Sequence, residues 1–181
     1  VSDTIIRFCE QIPDMLVVLW VVQLNHIPEV QFGWLSAIEM AAALAVYLPV
    51  AYLADKTAKK PFVLMTFGFF TLFPLVLLFS HNFPMLVLAF IIRGFKEFGE
   101  PTRKALIMDL APEGKKAAVF GVYYLIRDVI VSIAAFGGVF LWQIKPEINL
   151  LTAFGFGVIG TVFFAIFGKD LKKDDSQPIA V

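Results

Sequence analysis

Long apolar stretches, separated by short polar connections, dominate the sequence. A helix needs about 20 mostly apolar residues to cross the hydrocarbon core of a bilayer. The pattern therefore predicts six membrane-crossing helices, at 3–25, 32–54, 62–80, 83–99, 117–143 and 148–168. The fourth stretch differs because its uncharged run stops at Ile92. Pro13, Pro49 and Pro74 lie inside the first three stretches and are expected to kink them, which membrane helices tolerate.

Lysine and arginine are concentrated in alternate connections between these helices. They follow the second, fourth and sixth helices, at Lys56, Lys59, Lys60, Arg103, Lys104, Lys115, Lys116, Lys169, Lys172 and Lys173. The connections on the opposite side contain only Lys145. By the positive-inside rule, this bias predicts that both termini and the two charged loops lie in the cytoplasm. We expect the protein in a bacterial-type inner (plasma) membrane.

Composition agrees with a membrane protein and excludes several other classes. The chain is 59% hydrophobic with a mean hydropathy of +0.81 and is only 17% charged, whereas soluble domains have about 25% charged residues. Its net charge of zero indicates no basic surface for nucleic acid. The single cysteine, Cys9, rules out an internal disulfide or a cysteine metal cluster. No nucleophile–base set, metal-ligand spacing or nucleotide loop occurs, so we predict neither an enzyme nor a cofactor.

The first helix carries a stripe of polar side chains. At 100° per residue, five of them fall within an arc of about 100°: Asp3, Arg7, Glu10, Gln11 and Asp14. Charges inside a span are costly and often mark function. Glu10 and Asp14 can therefore line a hydrated cavity. The alternative is an internal ladder of ion pairs, since Arg7 reaches Glu10 or Gln11 along the helix.

Further charges lie within the other predicted crossings. Glu39 stands alone in the second helix, where it either carries a proton or pairs with a basic residue on another helix. In the fifth helix, Arg127 and Asp128 adjoin Tyr123 and Tyr124. That group either holds an organic ion or forms packing together with an interhelical ion pair.

Charges in the fourth stretch fall on one face if the helix continues past Pro101. They are Arg93, Glu97, Glu100 and Lys104. Their spacing indicates a structural or gating role for Arg93 with Glu97, in preference to substrate binding.

Two segments resemble the signatures of the major facilitator superfamily. The loop "AYLADKTAKK" is similar to that family's Gly-x-x-x-Asp-(Arg/Lys)-x-Gly-(Arg/Lys)-(Arg/Lys) motif, with alanine in place of both glycines. The matching charged residues are Asp55, Lys56, Lys59 and Lys60. Further along, Arg93 matches an arginine of the fourth helix, and "DLAPEGKKAAVFG", which begins at Asp109, matches the loop that follows it.

The resemblance implies an all-α polytopic membrane fold. Residues 1–168 would form one six-helix half-bundle of a secondary transporter, and 169–181 a polar cytoplasmic tail. The family places its loop aspartate against the start of the fifth helix and the fourth-helix arginine. Asp55 is therefore expected to act as a conformational latch, since the positive end of a helix dipole attracts a carboxylate. The family also sets the third and sixth helices outside the cavity, and here those two crossings are uncharged.

The resemblance also implies a function. A small solute would bind near the midplane and cross by alternating access, with Glu10, Asp14 and Glu39 as candidates for proton coupling. The first residue, Val1, is not methionine and the closing segment is polar, so we expect the C-terminal half of a longer transporter. Expected partners are the bilayer, the solute, and either the other half or a second copy of this chain. The alternatives are a homodimeric half-transporter and a non-transporting sensor or scaffold.

Overall fold

The computed structural model describes residues 2–54, 59–109 and 111–168, and all regular structure in these ranges is helical. The α-helices are α1 (Ser2–Asp14), α2 (Val17–Leu19), α3 (Glu29–Ala54), α4 (Lys59–Phe79), α5 (Phe83–Phe95), α6 (Glu100–Asp109), α7 (Lys116–Ile144) and α8 (Pro146–Phe167). A π-helical segment (Trp20–Leu24) follows α2, and a 3₁₀ turn (Lys96–Gly99) joins α5 to α6.

Four of these helices are long and apolar enough to span a bilayer. Among the described residues they are Glu29–Tyr47, Lys60–Phe79, Lys116–Ile144 and Pro146–Phe167. The first and fourth predicted crossings are absent from this set. Both are divided into shorter helical pieces, and both carry charged side chains.

The first crossing is interrupted near Pro13. Proline has no amide hydrogen and disturbs the helical ladder, and α1 ends at Asp14. The chain resumes as a short α-helical turn and a π-helical segment, which ends where Asn25 Nδ2 donates to the carbonyl of Trp20 at 3.0 Å. His26 then takes a left-handed backbone conformation with φ of 53°. By contrast, α3 and α4 continue through Pro49 and Pro74.

Small residues of α8 allow close approach to α1 and α4. The sequence places Ala153, Gly157 and Thr161 at four-residue spacing along α8. A Cβ on Gly157 would lie 2.9 Å from the sulfur of Cys9, and Thr161 Oγ1 lies 3.0 Å from Thr71 Oγ1. Helix packing through small residues is typical of membrane bundles, where backbones approach closely.

Asn149 joins three helices at one buried point. Its side-chain nitrogen donates to the carbonyls of Ile12 in α1 at 3.2 Å and Gly138 in α7 at 2.8 Å. Gly138 is itself packed tightly, since a Cβ there would lie 2.3 Å from the carbonyl oxygen of Ile12. A Cβ on the neighbouring Gly137 would meet no other described atom within 4 Å.

This pair of glycines provides a matched test of the α1–α7 contact. We expect Gly138→Ala to destabilise the fold by roughly 1–3 kcal/mol, because one helix must move to accommodate the methyl group. Gly137→Ala should be neutral or slightly stabilising, since alanine favours helix more than glycine does. Thermal unfolding in detergent measures both. Equal melting temperatures for the two variants would contradict the packing described here.

Candidate functional site

The polar stripe of α1 is the core of a charge network inside the bundle. Asp3, Arg7, Glu10 and Asp14 lie at intervals of four, three and four residues, which places them on one helical face. Each of them forms an ion pair with at least one charged side chain of another helix or turn. The face is therefore shielded by protein, and its charges are compensated.

At one end of the network, Arg93 of α5 binds two carboxylates. Its Nη2 lies 2.5 Å from Asp14 Oδ1, and its Nη1 lies 3.1 Å from Glu39 Oε2 of α3. The guanidinium carbon also lies 5.4 Å and 5.7 Å from the ring centroids of Phe73 and Phe90, within cation–π range. We call Asp14, Arg93 and Glu39 the Arg93 triad. It connects three helices and carries a formal charge of −1.

The middle of the network is centred on Glu10. This carboxylate binds Arg7 within α1, and its Oε1 lies 2.8 Å from Lys96 Nζ in the 3₁₀ turn. Arg7 and Lys96 also lie 5.3 Å and 5.9 Å from the ring centroid of Phe70. Arg7 in turn pairs with Glu100, so the middle group connects α1 with both the turn and α6.

At the other end, Arg103 of α6 is almost completely buried, with 3% of its surface exposed. Its Nη1 lies 2.7 Å from Asp3 Oδ1, and its Nε and Nη2 donate to Glu100 at 3.1 and 2.8 Å. Tyr123 of α7 donates to Asp3 Oδ2 at 2.5 Å. We call Asp3, Glu100, Arg103 and Tyr123 the Arg103 cluster, and it joins α1, α6 and α7.

Glu100 lies in α6, beyond the fourth predicted crossing. Burial alone would raise the pKa of this carboxyl group, but Arg103 and Arg7 together outweigh that effect. The pKa of Glu100 is consequently held below its ordinary value, and the carboxylate stays ionised at neutral pH.

Within the described part of the chain, Arg127 and Asp128 form no ion pair with another helix, in contrast to one of the two predictions from sequence. They pair with each other within α7, where Arg127 Nη2 lies 2.6 Å from Asp128 Oδ1. Adjacent side chains of a helix point in directions about 100° apart, yet the long arginine side chain folds back to reach its neighbour. The guanidinium lies over the ring of Tyr124 at 4.0 Å, and Asp128 remains mostly exposed.

The structure describes only some of the loop residues that the resemblance to the major facilitator superfamily suggests. Asp55 and Lys56 lie outside the described residues. Lys59 begins α4 and Asp109 ends α6, but their side chains lie outside the description. Lys60 Nζ donates to the carbonyl of Ala165, near the end of α8, at 3.0 Å. The latch role of this loop therefore stays a prediction.

Two cations of the network were not singled out as site residues from sequence. The sequence patterns predict no role for Lys96, and the positive-inside rule places Arg103 in a cytoplasmic loop. Their spacing is the feature of the sequence that could have identified them. Charged residues recur at three- and four-residue intervals, which places them on one helical face: Arg93, Lys96, Glu100 and Arg103. What spacing does not provide is the partner helix, and for these residues the partner is chiefly α1.

A cavity of about 390 Å³ lies between α1 and α7, beside this network. Its lining includes Gln11 and Met15 of α1 and Asp128, Ser132 and Phe136 of α7. Gln11 belongs to the polar stripe, and Met15 directly follows Asp14 of the Arg93 triad. The cavity therefore lies next to the charge network in sequence and has a largely apolar lining that includes one carboxylate, Asp128.

A comparison with protein families matches this chain over residues 4–180 to the model of the major facilitator superfamily. The comparison with curated proteins produced no match. Members of this superfamily are membrane transporters and not enzymes. The match covers the charge network apart from Asp3, together with the helices that pack around it. This chain therefore belongs to the major facilitator superfamily and is an integral membrane protein.

Proposed function

We propose that this chain is a six-helix half of a secondary transporter that moves a small solute by alternating access. Both termini would lie in the cytoplasm, in a bacterial-type inner membrane. The first and fourth predicted crossings are divided into short helices, with 13 residues each in α1 and α5. Within the described residues their charges, apart from Glu97, are paired inside the bundle. Internal pairing lowers the cost of placing such helices in a bilayer.

The charge network is the observation that carries this proposal. Its ion pairs connect different helices, so relative movement of those helices must break some pairs and form others. A static bundle gains little from such pairs, since buried ion pairs are often no more stabilising than apolar packing. The network is better explained by two arrangements of the helices whose balance depends on which pairs are made.

Exposed apolar faces on this chain support the proposal that it packs against a second six-helix unit. On α3 and α7 large apolar side chains are exposed, among them Trp34, Met40, Leu44, Ile126, Ile133, Phe136 and Phe140. Lipid covers part of such a surface, and the rest fits a second six-helix unit. That unit would be the other half of the transporter or a second copy of this chain, with the α1–α7 cavity between the two.

Proton coupling follows from the composition of the Arg93 triad. Two carboxylates share one guanidinium, so protonating one of them leaves a neutral pair. Glu39 is the better candidate for release, because its contact with Arg93 is longer than that of Asp14. The charged groups acting on Glu39 are Arg93, Lys96, Asp14 and Glu10. Protonation would break the ion pair between α3 and α5, and the proton would thereby weaken one of the contacts that hold these helices in place.

The cytoplasmic loop supplies a second element of the proposed cycle. Lys115 precedes α7 without a side-chain hydrogen bond capping the helix, within the described residues. Open amides and the helix dipole favour a carboxylate at that position. Asp55 would fill that role in one arrangement, with Lys56, Lys59, Arg93 and Asp109 as the surrounding charges.

Cysteine labelling tests alternating access directly. Cys9 is the one native cysteine, is fully buried and donates to the carbonyl of Phe70, so background labelling should be low. We expect Met15→Cys, in the cavity, to react with a charged, membrane-impermeant maleimide from either side of proteoliposomes. Ile126→Cys, which is exposed on α7 but does not line the cavity, is the matched control and should react from neither side. Labelling of Met15→Cys from one side only would indicate a sensor or scaffold.

A further inference from the structure

The α1–α7 cavity is bordered by a single stripe of α7. Asp128, Ser132 and Phe136 recur every four residues, and three further apolar residues of α7 complete that wall: Val131, Ala135 and Val139. Its volume of about 390 Å³ is within the range of small-molecule sites. At 1.5 Å per residue, Asp128 and Phe136 are about 12 Å apart along the helix. The site therefore has a carboxylate near one end and an aromatic ring near the other.

The carboxylate of Asp128 is the charged group that this cavity presents. Asp128 lines the cavity with 59% of its side chain exposed, whereas Arg127 is not part of the lining and is only 12% exposed. Arg127 donates twice to Asp128, both times to Oδ1. Within the described residues Oδ2 accepts no hydrogen bond, so it is available to a ligand.

The guanidinium of Arg127 contacts both Asp128 and the ring of Tyr124, and it does not line the cavity. It lies over the ring of Tyr124, whose hydroxyl accepts from Arg103 at 3.3 Å. Tyr123 is engaged by Asp3. The two tyrosines considered from sequence as ligands for an organic ion thus have other contacts, and Phe136 is the aromatic ring in the cavity.

The electrostatic surroundings favour a cation. Asp14, which directly precedes Met15 of the lining, belongs to the Arg93 triad with its formal charge of −1. The remaining polar groups of the lining are uncharged: Gln11 is an amide, and Ser132 Oγ donates to the carbonyl of Asp128 at 2.7 Å. Arg127 offsets the charge of Asp128, so the net negative charge near the cavity is that of the Arg93 triad. A positive ligand would be attracted to the open Oδ2 of Asp128, and its apolar body would gain from the aliphatic and aromatic lining.

We propose that the cavity binds an organic cation with an apolar body, anchored by Asp128 and packed against Phe136. This inference rests on the proposed transport function, since it names the class of solute for that same cavity. It makes Asp128 a binding residue and assigns Ser132 no direct role in recognition.

Two probes of similar shape and opposite charge test the proposal. Equilibrium binding of tetraphenylphosphonium and tetraphenylborate is measured on the chain in lipid nanodiscs, with empty nanodiscs as the blank. We expect tetraphenylphosphonium to bind saturably and tetraphenylborate not to do so. Asp128→Asn should weaken binding of the cation by about tenfold or more, because one charge pair is lost. Asp128→Glu should retain most of it, and Phe136→Ala should weaken it while keeping the preference for positive charge.

Glu147→Gln is the control, since Glu147 is an exposed acid in the first turn of α8, outside the cavity. This change should leave binding unaltered. Saturable binding of tetraphenylborate with equal affinity, or unchanged cation binding in Asp128→Asn, would overturn the proposal. Either result leaves the two-sided labelling of Met15→Cys untouched, so failure of the substrate class is distinguishable from failure of the transport function.

Discussion

Replacing Arg103 with alanine is expected to be the most damaging single change in this bundle. Removal of this buried partner leaves Asp3 without its ion pair and Glu100 with Arg7 as its main one. Breaking a buried pair costs about 3–5 kcal/mol. Arg103 donates to both of these carboxylates and is 3% exposed. We expect Arg103→Ala to melt far below the parent in detergent or to be recovered mostly as aggregate.

The adjacent lysine is a matched control for that change. Lys104 is 51% exposed, and its Nζ lies 3.9 Å from Glu100. Exposed pairs of this kind contribute about 0–1 kcal/mol, so Lys104→Ala should melt close to the parent. Arg103→Lys should be intermediate, because a lysine keeps the charge but loses the forked geometry. Similar melting temperatures for Arg103→Ala and Lys104→Ala would contradict the cluster described here.

The Arg103 cluster also predicts how stability depends on pH. The pKa of Glu100 is lower in the folded protein than its ordinary value, because Arg103 and Arg7 outweigh the effect of burial. Its stabilising contribution is therefore present above the ordinary carboxyl pKa and is lost as the pH falls through the lowered one. Arg103→Ala removes the larger of the two favourable influences and should weaken this acid sensitivity.

The second large effect is expected at Arg93. In Arg93→Leu, Asp14 and Glu39 face each other across α1 and α3 without a cation between them. These side chains are 15–36% exposed, so the cost should be below the roughly 3–5 kcal/mol of a fully buried pair. We expect this variant to be less stable than the parent. When it also carries Met15→Cys, the maleimide should no longer label that cysteine from both sides.

A double variant separates the structural part of that effect from its part in the cycle. Arg93→Leu with Glu39→Leu removes one carboxylate along with the cation, so much of the lost stability should return. Two-sided labelling should not return, because the group that releases α3 is gone. Full recovery of both stability and two-sided labelling would assign the Arg93 triad a purely structural role.

Much of the fold follows from the hydrophobic pattern. The pattern predicts helices at 32–54 and 117–143, and the structure has them at Glu29–Ala54 and Lys116–Ile144. Long apolar runs are informative because their length alone identifies a membrane helix. The first crossing was less predictable, since its end depends on Pro13 and on a π-helical segment that hydropathy does not reveal.

The sequence identifies many of the charged residues of the site, but it does not show which of them contact one another. Periodicity placed Asp3, Arg7, Glu10 and Asp14 on one face of α1, because helical spacing is a local property. The sequence predicts Arg103 in a loop, because a basic residue just after a membrane span usually lies among the lipid headgroups. Its burial against Asp3 depends on how α1, α6 and α7 pack, with 100 residues separating the two partners in sequence.

Accessibility of Met15→Cys as a function of pH tests the central claim most directly. Labelling is measured from each side of proteoliposomes between about pH 5.5 and 8.5, where a carboxyl group in a bundle can titrate. We expect labelling from both sides. The ratio between the labelling rates from the two sides should change by about fivefold across this pH range, and it should be constant in Glu39→Gln. Labelling confined to one side at every pH, or a ratio that changes equally in Glu39→Gln, would contradict it.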